Sequence, residues 1–278
     1  MSSAEQPIRL PGQISDVGPD YPRLPSEMHT YVEPELDGGL GDAQQQWLAG
    51  LARGLEAQRA DAPSTRIALD HLDPARLAAL DRLLGRGEVR ASVLGQPELH
   101  WQESMFTGLW RLRVMDPQRG CIGEALELGA VPDVLREAAR AACDLRALPE
   151  RDTIASEVGN AAHLLAEVFE RSRAHGRGAP GQVFNLDLLP LGPADHAWLV
   201  EVLGSGPVVV VSEGYGATRM RSTRLADTWW VQYYNSSDAL ILNTLEVAAI
   251  PAVACAADDD LAESATRLRA LLDLGQAR

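Results

Sequence analysis

The chain has 278 residues, 46% of them apolar, and a formal net charge of −14 at pH 7. This length predicts two domains of roughly 120–150 residues rather than one large core. The negative charge argues against binding to nucleic acid or to anionic membranes, because both require a basic protein surface. It is compatible with a basic protein partner, and equally with solubility alone.

No apolar run approaches the roughly 20 residues that a transmembrane helix needs. The longest candidate, residues 238–257, is interrupted by Asn243, Glu246 and Pro251. The first residues show neither a basic segment followed by an apolar one nor a twin-arginine motif. We therefore expect a cytoplasmic protein without stable membrane insertion.

In chain order, the proline-rich residues 1–40 predict an extended N-terminal arm. Residues 41–147 form the first predicted α+β repeat, beginning with a helix over 43–58 and a strand over 66–69. A second helix follows, with Asp73 as its N-cap and Pro74 at its first position. We expect Gly85 to end this helix in the left-handed conformation that glycine adopts cheaply. Its buried stripe comprises Leu77, Leu80 and Leu84.

Residues 147–152 predict a linker, and residues 153–278 a second repeat with the same layout. The two predicted helices span 161–174 and 193–203, with a short strand over 182–186 between them. The later strands indicate an antiparallel meander, and a last helix starts near Asp258. The four meander strands are predicted over 207–212, 219–224, 228–234 and 239–247.

The two repeats align without a gap when the sequence is shifted by 119 positions. Leu69–Ala138 then matches Leu188–Ala257 with 19 identities in 70 positions, many of them at glycine, proline or tryptophan. The predicted fold class is therefore α+β, a tandem duplication of an α-β-α-antiparallel-meander-α module. Residues that recur in both copies are predicted to be structural scaffold. They include Trp110 and Trp229, Glu127 and Glu246, and Gly85 and Gly204.

Catalytic motifs are not recognisable in either repeat. The Gly204 and Gly214 segments lack the third glycine of a dinucleotide-binding loop, and both lead into strands. Glu127 and Glu246 have no evident catalytic partner, so a structural salt bridge or hydrogen bond is the expected role of each. No metal-ligand spacing is found among the histidines, so the sequence predicts neither a metal site nor a cofactor.

The three cysteines, Cys121, Cys143 and Cys255, are far apart in the sequence and form no Cys-x-x-Cys pair. An odd, dispersed set argues against a disulfide scaffold and against a four-thiolate metal site. We expect all three to be buried as small apolar side chains. The alternative is a thiol with a redox or iron–sulfur-cluster-handling role, for which Cys143 is the first candidate.

The segment over 227–247 carries the densest group of aromatic and polar residues. Strand alternation places Trp229 on one face with the predicted core, and Trp230, Gln232 and Tyr234 on the other. Exposed aromatic residues beside polar ones favour protein binding. The alternative is that this second face packs under a helix or against the first repeat. The predicted partner-binding residues are Trp230, Gln232, Tyr234, Asn235, Ser236 and Asp238.

Several segments of the second repeat resemble a known family. They are Gly214-Tyr-Gly, Trp229-Trp-Val-Gln-Tyr-Tyr-Asn-Ser, Leu240-Ile-Leu-Asn-Thr-Leu-Glu-Val and Asn185-Leu-Asp-Leu-Leu-Pro-Leu-Gly-Pro-Ala-Asp. They are similar to the C-terminal signature of the HupH/HyaF/HoxQ hydrogenase expression and formation proteins. The first repeat matches that family mainly in layout.

The resemblance implies a non-catalytic accessory chaperone in the maturation of an uptake [NiFe]-hydrogenase. Its implied partners are the iron–sulfur small-subunit precursor, before twin-arginine-dependent export, and other accessory proteins, including a thioredoxin-like chaperone. One competing hypothesis is a redox or cluster-handling assembly factor that uses the cysteines. A further alternative is an enzyme that uses Glu246 with Asn243.

Overall fold

The computed structural model describes residues 42–145, 147–150, 154–214 and 216–276, so the predicted N-terminal arm lies outside the described residues. The fold is a mixture of α-helices and antiparallel β-strands, in agreement with the predicted α+β class. The elements of the first half are α1 (Asp42–Ala57), β1 (Thr65–Ala68), α2 (Pro74–Leu84), β2 (Val89–Val93), β3 (Glu98–Glu103), β4 (Leu109–Asp116), β5 (Gly120–Leu128) and α3 (Asp133–Ala141).

The second half repeats this order of elements and ends in a longer helix. Its elements are α4 (Ala161–His175), β6 (Gln182–Asn185), a 3-10 turn (Leu186–Leu188), α5 (Pro193–Leu203), β7 (Val208–Gly214), β8 (Gly216–Ser222), β9 (Thr228–Tyr234), β10 (Leu240–Val247), a 3-10 turn (Ala252–Ala254) and α6 (Asp258–Gln276). Within the described residues, no helix combines the length and apolar character that crossing a bilayer requires.

The ten strands of the described residues form one antiparallel sheet with the order β1-β5-β4-β3-β2-β7-β8-β9-β10-β6. The order is mirrored about its centre, where β2 of the first half pairs with β7 of the second. At the middle of this pair Ala91 lies opposite Val210, two positions that are 119 residues apart. The two halves of the sheet are therefore related by an approximate twofold axis between β2 and β7.

One face of the sheet, here called the front face, carries an apolar cluster that spans both halves. Trp110 and Trp229 lie in it together with Val210 and Met220, and all four are almost completely buried. Helix α3 covers this cluster with Leu135, and the chain before α6 adds Ile250. Side chains of strand residues alternate between faces, so the neighbours Arg111 and Trp230 lie on the opposite, back face.

Helix α6 closes the core of the first half, although it follows the second half in sequence. Its residues Leu261 and Leu268 are buried in one cluster with Leu51 of α1 and Leu126 of β5, on the back face of the sheet. Arg269 of α6 forms an ion pair with Glu56 of α1. The first half therefore lacks a complete core without the C-terminal helix.

Local signals explain where the helices begin and end. The Asp73 carboxylate accepts a hydrogen bond of 2.9 Å from the Arg76 backbone N–H, as expected for an N-cap. Gly85 and Gly204 end α2 and α5 with φ of 59° and 56° and ψ of −164°. These angles lie outside the left-handed helical region that the sequence predicts, in a positive-φ region that is essentially restricted to glycine.

Replacing Leu268 by alanine tests the role of α6. The side chain is completely buried between α6 and the first half, so we expect the free energy of unfolding to fall by about 2–5 kcal/mol. Glu263→Ala on the exposed side of the same helix is the control, with an expected change within about 0.5 kcal/mol. Urea denaturation measures both. Equal, small effects would contradict the packing of α6 described above.

Candidate functional site

The predicted partner-binding face of β9 is largely buried. Trp230 is only 1% exposed and lies in an apolar cluster with Leu245 and side chains of α4 and α5. Its indole Nε1 donates a hydrogen bond of 2.7 Å to Asn243 Oδ1, and Gln232 is 2% exposed. The expectation that Trp230 and Gln232 are exposed is wrong, because helices cover the back face of the second half.

Tyr234 remains partly exposed at the end of β9. The guanidinium carbon of Arg219 lies 4.4 Å from the centre of its ring, a cation–π geometry. The Tyr234 hydroxyl donates a hydrogen bond of 3.3 Å to Gln232 Oε1. The buried Gln232 and the guanidinium group of Arg219 therefore both hold the partly exposed ring in place.

Beyond Tyr234 the chain turns back towards β10 in a tip that we call the hairpin tip, residues 234–241. Asn235 Oδ1 accepts hydrogen bonds from the backbone N–H groups of Ser237 and Ala239, at 2.9 and 3.0 Å. Ser236 and Asp238 are exposed, and Asp238 has a φ of 54°. Ile241 is 52% exposed. The hairpin tip is therefore the accessible part of the predicted surface.

The predicted scaffold tryptophans have equivalent surroundings in the two halves. Trp110 Nε1 donates to the carbonyl of Gly129 at 3.0 Å, and Trp229 Nε1 donates to the carbonyl of Ala248 at 3.1 Å. The two acceptors are themselves 119 positions apart. Both indoles are buried on the front face. Each hydrogen bond links a strand, β4 or β9, to the residue that directly follows the next strand, β5 or β10.

The equivalent acids Glu127 and Glu246 have different partners. Glu127 is 2% exposed, forms a 3.2 Å ion pair with Arg66 and accepts a 3.0 Å hydrogen bond from Trp101 Nε1. Glu246 accepts hydrogen bonds from Tyr233 and Thr244 at 3.3 and 3.2 Å. Burial raises the pKa of Glu246, against these two hydrogen bonds, which lower it.

Asn243 and Glu246 do not form a joint site. Asn243 lies opposite Gln232 and faces the back of the sheet, whereas Glu246 lies opposite Trp229 and faces the front. The Asn243 side chain accepts a hydrogen bond from Trp230 within the core. The geometry contradicts an enzyme that would use these two residues together.

The cysteines have three different environments. Cys143 is buried, Cys255 is partly buried, and Cys121 is exposed at the start of β5, so the expectation of burial is wrong for Cys121. Burial raises the pKa of the Cys255 thiol, against the charge and hydrogen bond of Arg136, which lower it. In the parts of the chain that the structure describes, no three His, Cys, Asp or Glu side chains are grouped to hold a metal ion.

A cavity of about 290 Å³ lies between α2 and the back face of β2–β4, and we call it the arginine cavity. Asp81 of α2 binds Arg111 Nε at 2.9 Å and Arg113 Nη2 at 2.7 Å. Glu124 of β5 binds the same two guanidinium groups at 3.0 and 3.2 Å. Sequence reasoning missed this site, because arginines that alternate on a strand usually mark a solvated face. The lining includes Asp81, Arg86, Arg90, His100, Arg111 and Arg113.

A second cavity, of about 490 Å³, borders a buried acid at the end of β3. Glu103 is 6% exposed and accepts a 3.0 Å hydrogen bond from the Gly108 backbone N–H. Burial raises the pKa of Glu103 from 4.5 to about 7; the Gly108 hydrogen bond opposes the rise, and the charges of Glu88 and Asp260 add to it. Nothing in the local sequence pattern marked this residue.

A third group of titratable residues organises the start of α5. Asp195 accepts hydrogen bonds from the backbone N–H groups of Gly159, Ala161 and Gly192 at 2.8–3.0 Å. Burial acts to raise the pKa of Asp195, but these three hydrogen bonds outweigh it and the pKa is lowered. Burial lowers the pKa of the adjacent His196. Because Asp195 joins the beginnings of α4 and α5, this group has a structural role.

Glu103→Gln tests the raised pKa of this carboxyl group. The folded state favours the protonated form, so the contribution of Glu103 to stability is complete below pH 4.5 and is lost as pH rises to about 7. The full shift corresponds to at most about 3 kcal/mol. We expect Glu103→Gln to be more stable than wild type at about pH 8, with the gain shrinking towards about pH 5.

Urea denaturation at both pH values measures this difference. Gln is the chosen replacement because it retains the acceptor for the Gly108 N–H while removing the charge. Glu263→Gln on the exposed side of α6 is the control for the loss of one acidic group. A difference between wild type and Glu103→Gln that is the same at both pH values would contradict the raised pKa.

One protein-family model matches this chain twice. The model is described as HupH hydrogenase expression protein, C-terminal conserved region, and it matches residues 43–147 and 158–274. A solved structure of the hydrogenase expression protein HupH from Thiobacillus denitrificans is 32% identical. That structure covers 43% of this chain and 96% of its own, with a TM-score of 0.38.

Curated relatives match over most of the chain. Hydrogenase expression/formation protein HupQ of Azotobacter chroococcum is 40% identical over 90% of this chain and 89% of its own. Hydrogenase expression/formation protein HoxQ of Cupriavidus necator is 37% identical over 98% of both chains. Hydrogenase expression/formation protein HupH of Rhodobacter capsulatus is 38% identical over 91% and 90%. The chain therefore belongs to the HupH family of hydrogenase expression/formation proteins and has a role in hydrogenase maturation.

Proposed function

We propose that this protein is a non-catalytic chaperone that binds the iron–sulfur small-subunit precursor of an uptake [NiFe]-hydrogenase in the cytoplasm, before twin-arginine-dependent export. The observation that carries the proposal is the match to hydrogenase expression/formation proteins over nearly the whole chain. A further accessory protein of the thioredoxin-like type is a proposed partner in the same step.

We infer that the chain arose by tandem duplication of one module. The family model matches each half separately, and the strand order is mirrored about β2 and β7. Duplicated halves that diverge can keep a common scaffold while their surfaces take on different roles. Differences between the halves are therefore where we look for client binding.

The hairpin tip is our proposed client-binding surface. Its residues Tyr234, Asn235, Ser236 and Asp238 are accessible or partly accessible, and Ile241 adds an exposed apolar side chain. An aromatic ring beside exposed polar and apolar groups suits a protein interface. Trp230 and Gln232 support this surface from the interior and do not contact the client.

The net charge of −14 supports a basic client segment. A twin-arginine signal peptide supplies such a segment, and its attraction to an acidic surface is weakened by salt. We therefore expect binding of the precursor to decrease when the signal peptide is removed or the ionic strength is raised. Binding that is unchanged under both conditions would contradict a role for charge in client recognition.

Variants of the hairpin tip test the client-binding surface. Tyr234→Ala removes the ring, and Asp238→Asn removes a charge at a positive φ that Asn also tolerates. We expect the double variant to bind the precursor roughly tenfold more weakly, as for the loss of an aromatic contact at an interface. The measurement is the amount of precursor that co-purifies from cells expressing the hydrogenase operon.

The matched control is Arg119→Ala, which lies in the first half at the position equivalent to Asp238 and is also exposed. We expect it to retain the precursor. Trp230→Ala is not a suitable probe, because the loss of this buried indole costs about 3–5 kcal/mol of stability. Retention of the precursor by a folded double variant would exclude the hairpin tip as the client surface.

Replacement of the cysteines separates this proposal from a cysteine-using assembly factor. The raised pKa of Cys255 disfavours the reactive thiolate, and Cys143 is buried. We expect Cys121→Ser, Cys143→Ala and Cys255→Ala together to leave precursor binding and hydrogenase maturation intact. A folded triple variant that binds the precursor but fails to mature the hydrogenase would favour the redox or cluster-handling alternative.

A further inference from the structure

The arginine cavity contains a buried donor without an acceptor. The side chain of Arg111 is 7% exposed; its Nε binds Asp81, and its Nη2 forms the ion pair with Glu124. Its Nη1 is buried and has no hydrogen-bond partner among the described residues. A buried donor without an acceptor lowers stability, so an acceptor placed in the cavity would gain a hydrogen bond that the folded protein lacks.

Comparison of the two halves shows that the fold can be packed without a buried arginine at this position. The position equivalent to Arg111 is Trp230, which fills the corresponding space beneath α4 and α5 and is almost completely buried. The position equivalent to Arg113 is Gln232, and the counterpart of Asp81 is Val200. The first half has ion pairs and a cavity where the second half has an apolar core.

The cavity wall combines positive charge with apolar surface. Four arginines and one carboxylate, that of Asp81, belong to the lining, and Leu84 and Met115 provide apolar wall. Glu213 pairs with Arg90, and Glu124 pairs with Arg111 and Arg113. A few convergent polar groups in a largely apolar pocket are typical of a small-molecule site.

We propose that the arginine cavity binds a carboxylate group, which accepts hydrogen bonds from Arg111 and whose organic part packs on Leu84 and Met115. Because Nε and Nη2 of Arg111 are engaged by Asp81 and Glu124, the N–H donors of Nη1 are the ones left for the ligand. A hydrogen bond between a guanidinium group and a carboxylate is stronger than one to a neutral acceptor. A phosphate dianion fits less well, because Asp81 and Glu124 lie next to Arg111 and repel additional charge. This assignment does not depend on the hydrogenase role.

The volume of about 290 Å³ limits the ligand to a small group. Two sources provide such a carboxylate: a free small organic acid, and the C-terminal carboxylate of a polypeptide chain. Butyrate represents the first source and N-acetyl-leucine the second. The amide of each compound has the same shape without the charge and is therefore the matched ligand control.

Isothermal titration of the full-length protein with these compounds tests the proposal, with inorganic phosphate as a further ligand. We expect each acid that binds to bind roughly tenfold or more tightly than its amide, as for a charge-assisted hydrogen bond. Arg111→Met should abolish the preference for the acid. Met115→Phe should weaken binding, because the larger side chain fills the cavity without altering the ion pairs. This variant still tests the proposal if Arg111→Met does not fold.

Arg119→Met removes an equal charge from an exposed turn and should leave binding unchanged. Tighter binding of N-acetyl-leucine than of butyrate would assign the site to a polypeptide terminus, and the reverse order to a free acid. The proposal is overturned if neither acid binds, if acid and amide bind equally, or if phosphate binds more tightly than both acids. It is also overturned if the folded Arg111→Met and Met115→Phe variants both bind like wild type.

Discussion

The pairing of β2 with β7 is the interaction on which the rest of the structure depends. Five residue pairs join the two strands, with Val89 opposite Ser212 and Val93 opposite Val208. Without this ladder each half would end in an edge strand with unpaired backbone groups. The side chains of Val208–Val211, which are now buried, would become more exposed. The pairing converts two small sheets into one and lets the front-face tryptophans of both halves share a core.

The joined sheet allows the two halves to differ on the back face. Helix α6 reaches back to cover the first half, and α4 and α5 cover the second. In the second half Trp230 completes an apolar core. In the first half Arg111 and Arg113 take the corresponding positions and leave a cavity lined by charged and apolar side chains under α2. The two halves thus share the same arrangement of strands and helices but differ in the buried side chains of the back face. The accessible hairpin tip also differs between the halves.

Much of this architecture could be predicted from the sequence, because it depends on local signals. The helix that Asp73 caps, the glycines that end α2 and α5, and the repeated order of elements along the chain all follow from residue type and spacing. Strand alternation correctly separated Trp229 from Trp230. Alternation shows which residues share a face but not whether that face is covered, so it does not reveal that Trp230 is buried.

Other features depend on contacts between distant segments, which a single sequence does not reveal. The docking of α6 on α1, the pairing of β2 with β7 and the approach of Asp81 to Arg111 join residues far apart in the chain or on different elements. The raised pKa of Glu103 likewise results from burial by several elements.

Native-state hydrogen exchange of the backbone amides in β2 and β7 tests the central claim most directly. If their pairing holds the two halves together, their hydrogen-bonded amides open only with global unfolding. They should then show the same free energy of exchange as protected amides in β4 and β9. Exchange through β2 and β7 at a clearly lower free energy, while β4 and β9 stay protected, would contradict the account and show two halves that fold separately.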